Sequence, residues 1–417
     1  MSYKLSIKQK IKLFYLIHTE RIWRRYYYEN TMKTTGILLF LKEEAKWWKD
    51  IFYGAWEMTF SKKYAYPYYD GKKKSKLRIL LDNMWWTLKY REVNRFYYAY
   101  GLDNKDNKAE KYIAYSEFRV LRNILNIRQH ENKKNTKYCF NYLCVPRDKF
   151  IFSQFCKSLG VPYPKTYGLA HKGRLWWIGL GKDDYEEIEV DTLPNIDAFC
   201  KEVSGGGGRK AFFLTIQDGV INIDGNISNV SELKEWFSGA RYIIQERIQQ
   251  HPVISNIYPH SVNTIRLMTI MDRNGVISIY PSKMRFGSGG NKVDNCGQGG
   301  LSIGINPETN RFFNFALYNP GFGSICYDKH PDTKVNFSGV EIPYYAEAIK
   351  YATKLHKALY GVCSMGWDIA ITNDGPIFLE AGEDWEISGT QLVFGGFKNS
   401  FYETHGDALN VKVRRVR

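Results

Sequence analysis

A change of texture near residue 137 constrains the fold of this chain more than any other feature. Residues 1–137 hold 30 Lys and Arg against 14 Asp and Glu, while the remaining 280 residues hold 29 of each. The whole net charge of +16 therefore sits in the first third, together with six of the eleven tryptophans. That segment has little Pro or Gly punctuation, and its aromatic residues recur at intervals of three and four. Leu5–Glu29, Gly36–Phe60 and Leu77–Tyr100 are accordingly expected to be helices. Beyond Tyr138 glycines cluster, and short β-rich runs alternate with helical ones. The expected organisation is a basic, mostly helical region over residues 1–137 followed by an α+β body.

With 44% apolar and 16% aromatic residues, the chain can bury a sizeable core, and its length implies two or three domains or subdomains. No run approaches the roughly 20 apolar residues of a membrane-spanning helix, and the start MSYKLSIKQK lacks a secretory h-region. Seven scattered cysteines without a CxxC pair point to reduced thiols rather than a disulfide or zinc framework. A cytoplasmic protein is expected. The basic region leaves three readings open. One is a helical domain with a solvated Lys/Arg face. Another is a peripheral contact with an anionic membrane, since Leu5–Tyr28 mixes Ile7, Ile11, Phe14 and Trp23 with Lys4, Lys8, Lys12, Arg21, Arg24 and Arg25. Nucleic acid is the least favoured, because no RNA- or DNA-binding motif accompanies the charge.

The body carries three constellations. Trp367–Thr372 and Pro376–Glu380 are β-type runs joined by Asn373-Asp374-Gly375. A three-residue loop with glycine last would set Thr372 opposite Pro376, and hence Asp368 opposite Glu380, with Cβ atoms about 5 Å apart. Two carboxylates so placed repel unless a hard cation such as magnesium neutralises them. A two-residue turn would instead shift the register by one and put them on opposite faces. Upstream, the strand ending His260–Ile270 sets Arg266 among apolar neighbours, which calls for an anionic partner. Lys283 and Arg285 alternate onto one face before a loop containing Gly287, Gly289, Gly290, Asp294, Asn295, Gly299 and Gly300, a setting for a multiply charged anion, although a mobile surface loop has the same composition. The third constellation is Lys201 followed by Gly205, Gly206, Gly207 and Gly208, then Arg209 and Lys210. Four glycines let backbone N–H groups close over phosphates, although a flexible hairpin tip has the same composition. The run Arg241–Ile248 reads as a strand that could pass between subdomains.

These residues carry a resemblance. The order Lys149, Lys201 with its glycine loop, Ile243–Ile248, Arg266 and Asp368…Glu380 is similar to that of the ATP-grasp superfamily. The segments YIIQERIQQHP…HSVNTIRLMTI, MRFGSGGNKVDNCGQGG and GWDIAITNDGPIFLEAGED resemble its sugar-transfer-associated branch, over roughly residues 138–400. The resemblance implies an α+β, ATP-grasp fold of two subdomains, residues 138–240 and 241–417, holding ATP between them. By analogy Lys149 and Lys201 would contact the phosphates, and Gly205–Gly208 would form the lid. Gln245, Glu246, Arg247, Ile248 and Asn263 would bind the nucleotide, and Asp368 and Glu380 would hold magnesium. Arg266, with Lys283 and Arg285, would serve catalysis, while Asp294, Asn295, Gly299 and Gly300 would face the substrate. The family usually has Asn two residues after the metal-binding Glu. Here that place is Gly382, so a second magnesium would need Glu383 or Asp384.

The implied activity is ATP-dependent carboxylate–amine ligation, with the leading expectation an amide between an amino acid and a sugar carboxylate. The sugar could be lipid-linked, nucleotide-linked or polymeric, in cell-surface polysaccharide assembly at the inner face of the membrane. A peptide-forming ligase remains open, as does a non-catalytic module binding anionic glycan or membrane.

Overall fold

The structure, a computed structural model, describes residues 5–28, 36–65, 70–131, 142–178, 185–206, 210–272, 274–323, 326–359 and 362–405. The basic first third is helical, with α1 (Ile7–Tyr28), α2 (Gly36–Lys49), α3 (Ala55–Phe60), α4 (Lys76–Tyr90) and α5 (Tyr115–Glu131). One π turn, Asp50–Gly54, joins α2 to α3, and a Cβ on Gly54 would stand 2.5 Å from Val93 Cγ1. Rather than running on to Tyr100, α4 stops at Tyr90. Arg91 turns left-handed there, at φ 53°, because its guanidinium is fixed from elsewhere, bonded to Glu44 at 2.5 Å and 4.5 Å over the Trp47 ring. Tertiary anchoring outweighs local periodicity at that point. Helix α5 has no counterpart among the helices expected from sequence. Its first N–H groups, on Tyr115 and Ser116, are satisfied at 2.9 and 3.0 Å by the Glu92 carboxylate, a cap supplied by a distant residue.

Beyond residue 137 the α+β expectation holds, as two antiparallel sheets. The first contains β1 (Thr166–His171), β2 (Arg174–Ile178), β3 (Tyr185–Ile188), β4 (Ile196–Glu202), β5 (Phe212–Gln217), β6 (Val220–Ile223), β7 (Asn226–Ser228) and β8 (Tyr242–Glu246), in the order β3-β2-β1-β8-β4-β5-β6-β7. The second contains β9 (Thr264–Met271), β10 (Ile277–Phe286), β11 (Leu301–Gly304), β12 (Ala316–Tyr318), β13 (Cys326–Tyr327), β14 (Ser364–Thr372) and β15 (Gly375–Gly382), in the order β13-β12-β11-β10-β9-β14-β15. One face of this second sheet buries Ile265, Leu267, Met365 and Trp367 against the helices Lys149–Ser158 and Tyr345–Ala358. On the other face, Met268, Ile270 and Tyr280 share a core with Leu13, Ile17, Trp86, Phe118 and Leu121 of the N-terminal helices. The helical region is thus packed into the body. The half of that face it leaves uncovered, around Thr264 and Arg266, becomes the floor of a cleft. The six described cysteines are all free, and four of them are buried.

A buried histidine gives the fold a pH dependence. His356 is inaccessible, its Nε2–H donates to Val362 O at 2.8 Å, and its Nδ1 is buried without a hydrogen-bond partner. Burial draws its pKa from 6.5 down to about 4. Between those values the unfolded chain binds the extra proton, so stability is full above about pH 6.5 and lost as pH falls towards 4. The shift corresponds to about 3 kcal/mol. Glu92, whose carboxyl burial pushes up to about 7, contributes with the opposite sign, losing stability as pH rises from 4.5. The histidine's share is therefore read by difference. His356→Gln keeps a donor but does not titrate, so it should gain about 3 kcal/mol on the wild type between pH 7 and pH 4 in urea unfolding. A difference that stays flat with pH would show that His356 protonates freely in the folded state.

Candidate active site

The second sheet aligns its charged residues by register. Glu380 pairs with Asp368, Asp368 with Arg266, Arg266 with Lys283 and Lys283 with Gly304, so one rung crosses β15, β14, β9, β10 and β11. Neighbouring strands lie about 4.8 Å apart, so each residue of the rung faces the next. The carboxylate pair is reached by a route that the sequence does not reveal. Thr372 pairs with Gly375 across a two-residue turn, not with Pro376 across three, and that turn alone would put Asp368 and Glu380 on opposite faces. A bulge at Leu379 supplies the missing residue. Ile369 then faces Phe378, and Asp368 faces Glu380.

Each carboxylate has its own cations. Asp368 lies 2.9 Å from Arg266 Nε through Oδ1, and 3.2 and 3.0 Å from the Nη2 atoms of Arg266 and Arg285 through Oδ2. Burial alone would raise the Asp368 pKa, but the two guanidiniums hold it below the usual carboxylate range. Glu380 Oε1 lies 3.5 Å from Lys201 Nζ and 3.6 Å from Lys149 Nζ. Burial draws the Lys201 pKa down, with Glu380 opposing it, and draws Arg266 down in the same way against Asp368. For Arg285 burial also acts downward, but Asp294 and Asp368 prevail and hold it above its ordinary value. Asp294 anchors the next rung, accepting from Thr264 N at 2.9 Å and Thr264 Oγ1 at 2.5 Å. Four cations, Lys149, Lys201, Arg266 and Arg285, thus face three carboxylates, Asp294, Asp368 and Glu380. That surplus suits an anionic ligand.

These groups converge on one cleft of about 1250 Å³ between the two sheets. Lys149, Lys201, Gly205, Gly206, Gln245, Glu246, Arg247 and Ile248 line it, as do Arg266, Arg285, Asp294, Asn295, Asp368 and Glu380. The Lys149 ammonium donates to Gly205 O, tying the helix start to the glycine loop. Gly207 and Gly208 lie outside the described residues. The Gln245 side chain is turned inward, its amide 3.4 Å from Pro164 O and 3.3 Å from Thr166 Oγ1. Phe199 and Phe213 add apolar walls, their rings 5.2 Å apart, and Arg247 sits 4.5 Å over Phe213.

Four expected site residues are not brought to this cleft. Asn263 is fully buried, donating to Tyr258 O at 2.7 Å and accepting from Gly287 N at 3.2 Å, which fixes the loop before β9. Lys283 is in the rung, yet it points to the start of the helix Ser388–Phe394, where a Cβ added at Gly389 would lie 2.5 Å from its Nζ. No carboxylate stands within ion-pair distance of it among the described residues. Gly299 has φ +95°, and Gly300 brings the backbone so close that a Cβ would meet Asp294 O at 2.5 Å. Both shape the loop without lining the cleft. Sequence reading missed, conversely, the wall made by Glu20, Arg119, Arg122, Asn123 and Arg147. Arg119 bonds Glu20 at 2.6 Å, buried Arg122 pairs with Asp384, and Arg147 pairs with Glu383. These pairs span more than 90 residues of sequence, so no local pattern announces them.

A family model described as sugar-transfer associated ATP-grasp matches residues 127–399, well over half the chain. The chain belongs to this ATP-grasp family. The matched segment takes in the two-sheet α+β body, while most of the helical N-terminal region, with Glu20, Arg119, Arg122 and Asn123, lies outside it. No curated protein matches the chain. Solved structures resemble it distantly. N5-carboxyaminoimidazole ribonucleotide synthetase from Thermus thermophilus is 15% identical at TM-score 0.37, over 65% of this chain and 54% of that one. The same enzyme from Thermotoga maritima is 17% identical at TM-score 0.30, over 58% and 43%. L-amino acid ligase from Bacillus licheniformis is 12% identical at TM-score 0.37, over 67% and 51%. The chain spans about half the length of these proteins.

The donor set fits magnesium. Asp368 Oδ1 is buried and accepts no hydrogen bond, since Arg266 Nε lies near it but off the required line. Glu380, facing it, meets its lysines only at 3.5 Å or more. Among the described residues no three acidic, His or Cys side chains gather as a ligand set. Two carboxylates plus phosphate and water oxygens are what remains, a common arrangement for this cation. Gly382 has open space around it, and Glu383 and Asp384 are held by Arg147 and Arg122.

Proposed function

We propose that this family member is an ATP-dependent carboxylate–amine ligase that joins an amino acid to a sugar carboxylate, in cell-surface polysaccharide assembly. The observation that carries the reading is the rung Glu380–Asp368–Arg266, set in a cleft with Lys149 and Lys201. A carboxylate is a poor electrophile because its leaving group would be oxide. Attack of its oxygen on the γ-phosphorus of ATP forms an acyl phosphate and releases ADP. The amine nitrogen then adds to the acyl carbon, phosphate departs with the C–O electron pair, and the nitrogen loses a proton. Lys149 and Lys201 bind phosphate oxygens in this reading, with the N–H groups of Gly205–Gly208 closing over them. The segment Gln245–Ile248 and the rings of Phe199 and Phe213 hold the base. Arg266, fixed by Asp368 and backed by Arg285, faces the oxyanion of the tetrahedral adduct. Asp368 and Glu380 would hold magnesium, which would neutralise the phosphoryl oxygens. Asp294 and Asn295 bound the substrate end. A lipid-linked sugar would bring the chain to the inner, anionic face of a membrane.

Amino acids and uronic acid nucleotides, screened in pairs for ADP release, test this reading. ADP release that requires both partners is expected. Release with two amino acids alone would identify a peptide-forming ligase, and glycan binding without any ADP release would identify a non-catalytic module.

A further inference from the structure

Large apolar side chains are exposed unevenly over this molecule. Among the described residues, fifteen of the twenty-five such side chains lie between residues 7 and 85. They are ordered, not scattered. Leu41, Trp48, Phe52, Trp56 and Phe60 form one stripe along α2 and α3, with Trp48, Phe52 and Trp56 each more than half exposed. A strict four-residue spacing drifts around an α-helix, and the wider π turn Asp50–Gly54 holds these residues in line. The opposite side, Ile51, Ala55 and Met58, is buried. On α4, Leu77, Leu81 and Trp85 recur every fourth residue and are exposed, against buried Ile79, Asn83 and Trp86. On α1, Ile7, Ile11, Phe14 and Tyr15 repeat the pattern. Rings connect the α1 and α2 stripes, running from Phe14 to His18 at 3.9 Å, His18 to Trp47 at 5.0 Å and Trp47 to Trp48 at 5.5 Å.

The charge around these stripes has one sign. Between residues 36 and 65 every exposed ionised side chain is a lysine: Lys42, Lys46, Lys49, Lys62 and Lys63. Of the acids in that segment, Glu43 is buried, Glu44 pairs with Arg91 at 2.5 Å, and Asp50 and Glu57 are half-buried. A soluble helical domain would turn mixed charges outward and apolar residues in. Here rows of Trp, Phe and Leu face outward with lysines and no acids among them, the composition of an interfacial helix on anionic lipid. No described helix is long and apolar enough to cross a membrane, so the contact would lie on the surface.

We propose that the outward faces of α1, α2–α3 and α4 form a docking surface for an anionic lipid bilayer. The surface is broader than the first helix, where the sequence alone suggests a membrane contact; the side chains of Arg21, Trp23, Arg24 and Arg25 lie outside the described residues. Because α1 buries Leu13 and Ile17, and Glu20 bonds Arg119, removing that helix would open the core. Substitutions at exposed positions avoid this. The test is co-sedimentation of the full chain with vesicles of phosphatidylcholine alone or mixed with roughly equal phosphatidylglycerol, at low and high salt. Wild type should pellet with the anionic vesicles, with tryptophan emission shifted to the blue. Trp56→Gln/Phe60→Gln/Trp85→Gln should cut the bound fraction at least about tenfold with the thermal unfolding midpoint unchanged. Lys42→Gln/Lys62→Gln/Lys63→Gln should bind like wild type at high salt and far more weakly at low salt. Absence of pelleting by wild type would overturn the proposal, as would equal binding by the aromatic variant. So would a dimer abolished by the same substitutions, which would make the face a contact between copies. The assay needs no nucleotide or substrate, so its outcome is independent of the ligase reading.

Discussion

Asp368→Asn is expected to remove ATP turnover and also to destabilise the protein without nucleotide. A pair of facing carboxylates considered alone suggests the reverse, since neutralising one relieves repulsion. The structure changes the sign. Asp368 is the shared counter-charge of Arg266 and Arg285, at 2.9 to 3.2 Å, and all three side chains are less than a quarter exposed. Removing Asp368 takes away the carboxylate that pairs with Arg266 and leaves Arg285 only Asp294, at 3.4 Å, a loss of roughly 3 kcal/mol. Glu380 differs, being about a third exposed with its two lysines 3.5 and 3.6 Å away. Glu380→Gln should therefore abolish turnover with little change in unfolding midpoint. Both variants should fall at least roughly a hundredfold in ADP release, and only Asp368→Asn should lower the midpoint in apo protein. Near-normal turnover in either variant would remove that carboxylate from the metal site. An unchanged midpoint in Asp368→Asn would show that Asp294, already beside Arg285, compensates both guanidiniums.

The Asp368–Glu380 pair also shows what sequence can and cannot carry. Alternation in GWDIAIT and GPIFLEAG marks two strands, and Asn-Asp-Gly marks the turn between them, so the hairpin is legible. Its register is not, because a bulge is one extra residue whose site depends on packing around Phe378 and Leu379 rather than on any local signal. In this hairpin a shorter turn and a bulge cancel, so the pairing agrees with expectation for a different reason. The continuation of the rung to Lys283 requires a second irregularity, between Tyr280 and Lys283 in β10, and no pattern marks that either. Helix α4 ends at Arg91 because Glu44 and Trp47 fix its side chain from another helix. The cleft wall from α1 and α5 depends on how those helices pack on Met268, Ile270 and Tyr280. Local periodicity and turn chemistry travel with the sequence, whereas contacts between distant segments exist only once the core has formed.

Arg266→Lys is expected to lower turnover on the order of a hundredfold while leaving nucleotide affinity within a few-fold. The guanidinium donates to Asp368 from Nη2 to Oδ2 at 3.2 Å, and Nε lies 2.9 Å from Oδ1 as an ion-pair contact without a hydrogen bond; together they hold one edge against the carboxylate and set its plane. Its remaining N–H donors, on Nη1, are then directed by that plane, and Gly366 leaves room for them, since a Cβ there would stand 3.2 Å from Nη1. A lysine can satisfy one carboxylate oxygen or reach the cleft, but it cannot do both, and its point charge has no plane to fix. Burial already draws the Arg266 pKa down, and a lysine in the same surroundings, starting from a lower value, would lose its proton more readily. The defect should therefore deepen as pH rises, a trend that arginine's high pKa keeps out of the wild type. Lys149 and Lys201 remain to hold the phosphates, so the change should appear in the rate of ADP release at saturating ATP rather than in the ATP concentration giving half-maximal rate. Arg266→Met separates charge from shape: loss of the same size would mean that charge without the fork contributes nothing. A drop of less than a few-fold in Arg266→Lys would instead assign Arg266 to holding Asp368 in place, with Arg285 as the cation that meets the developing charge.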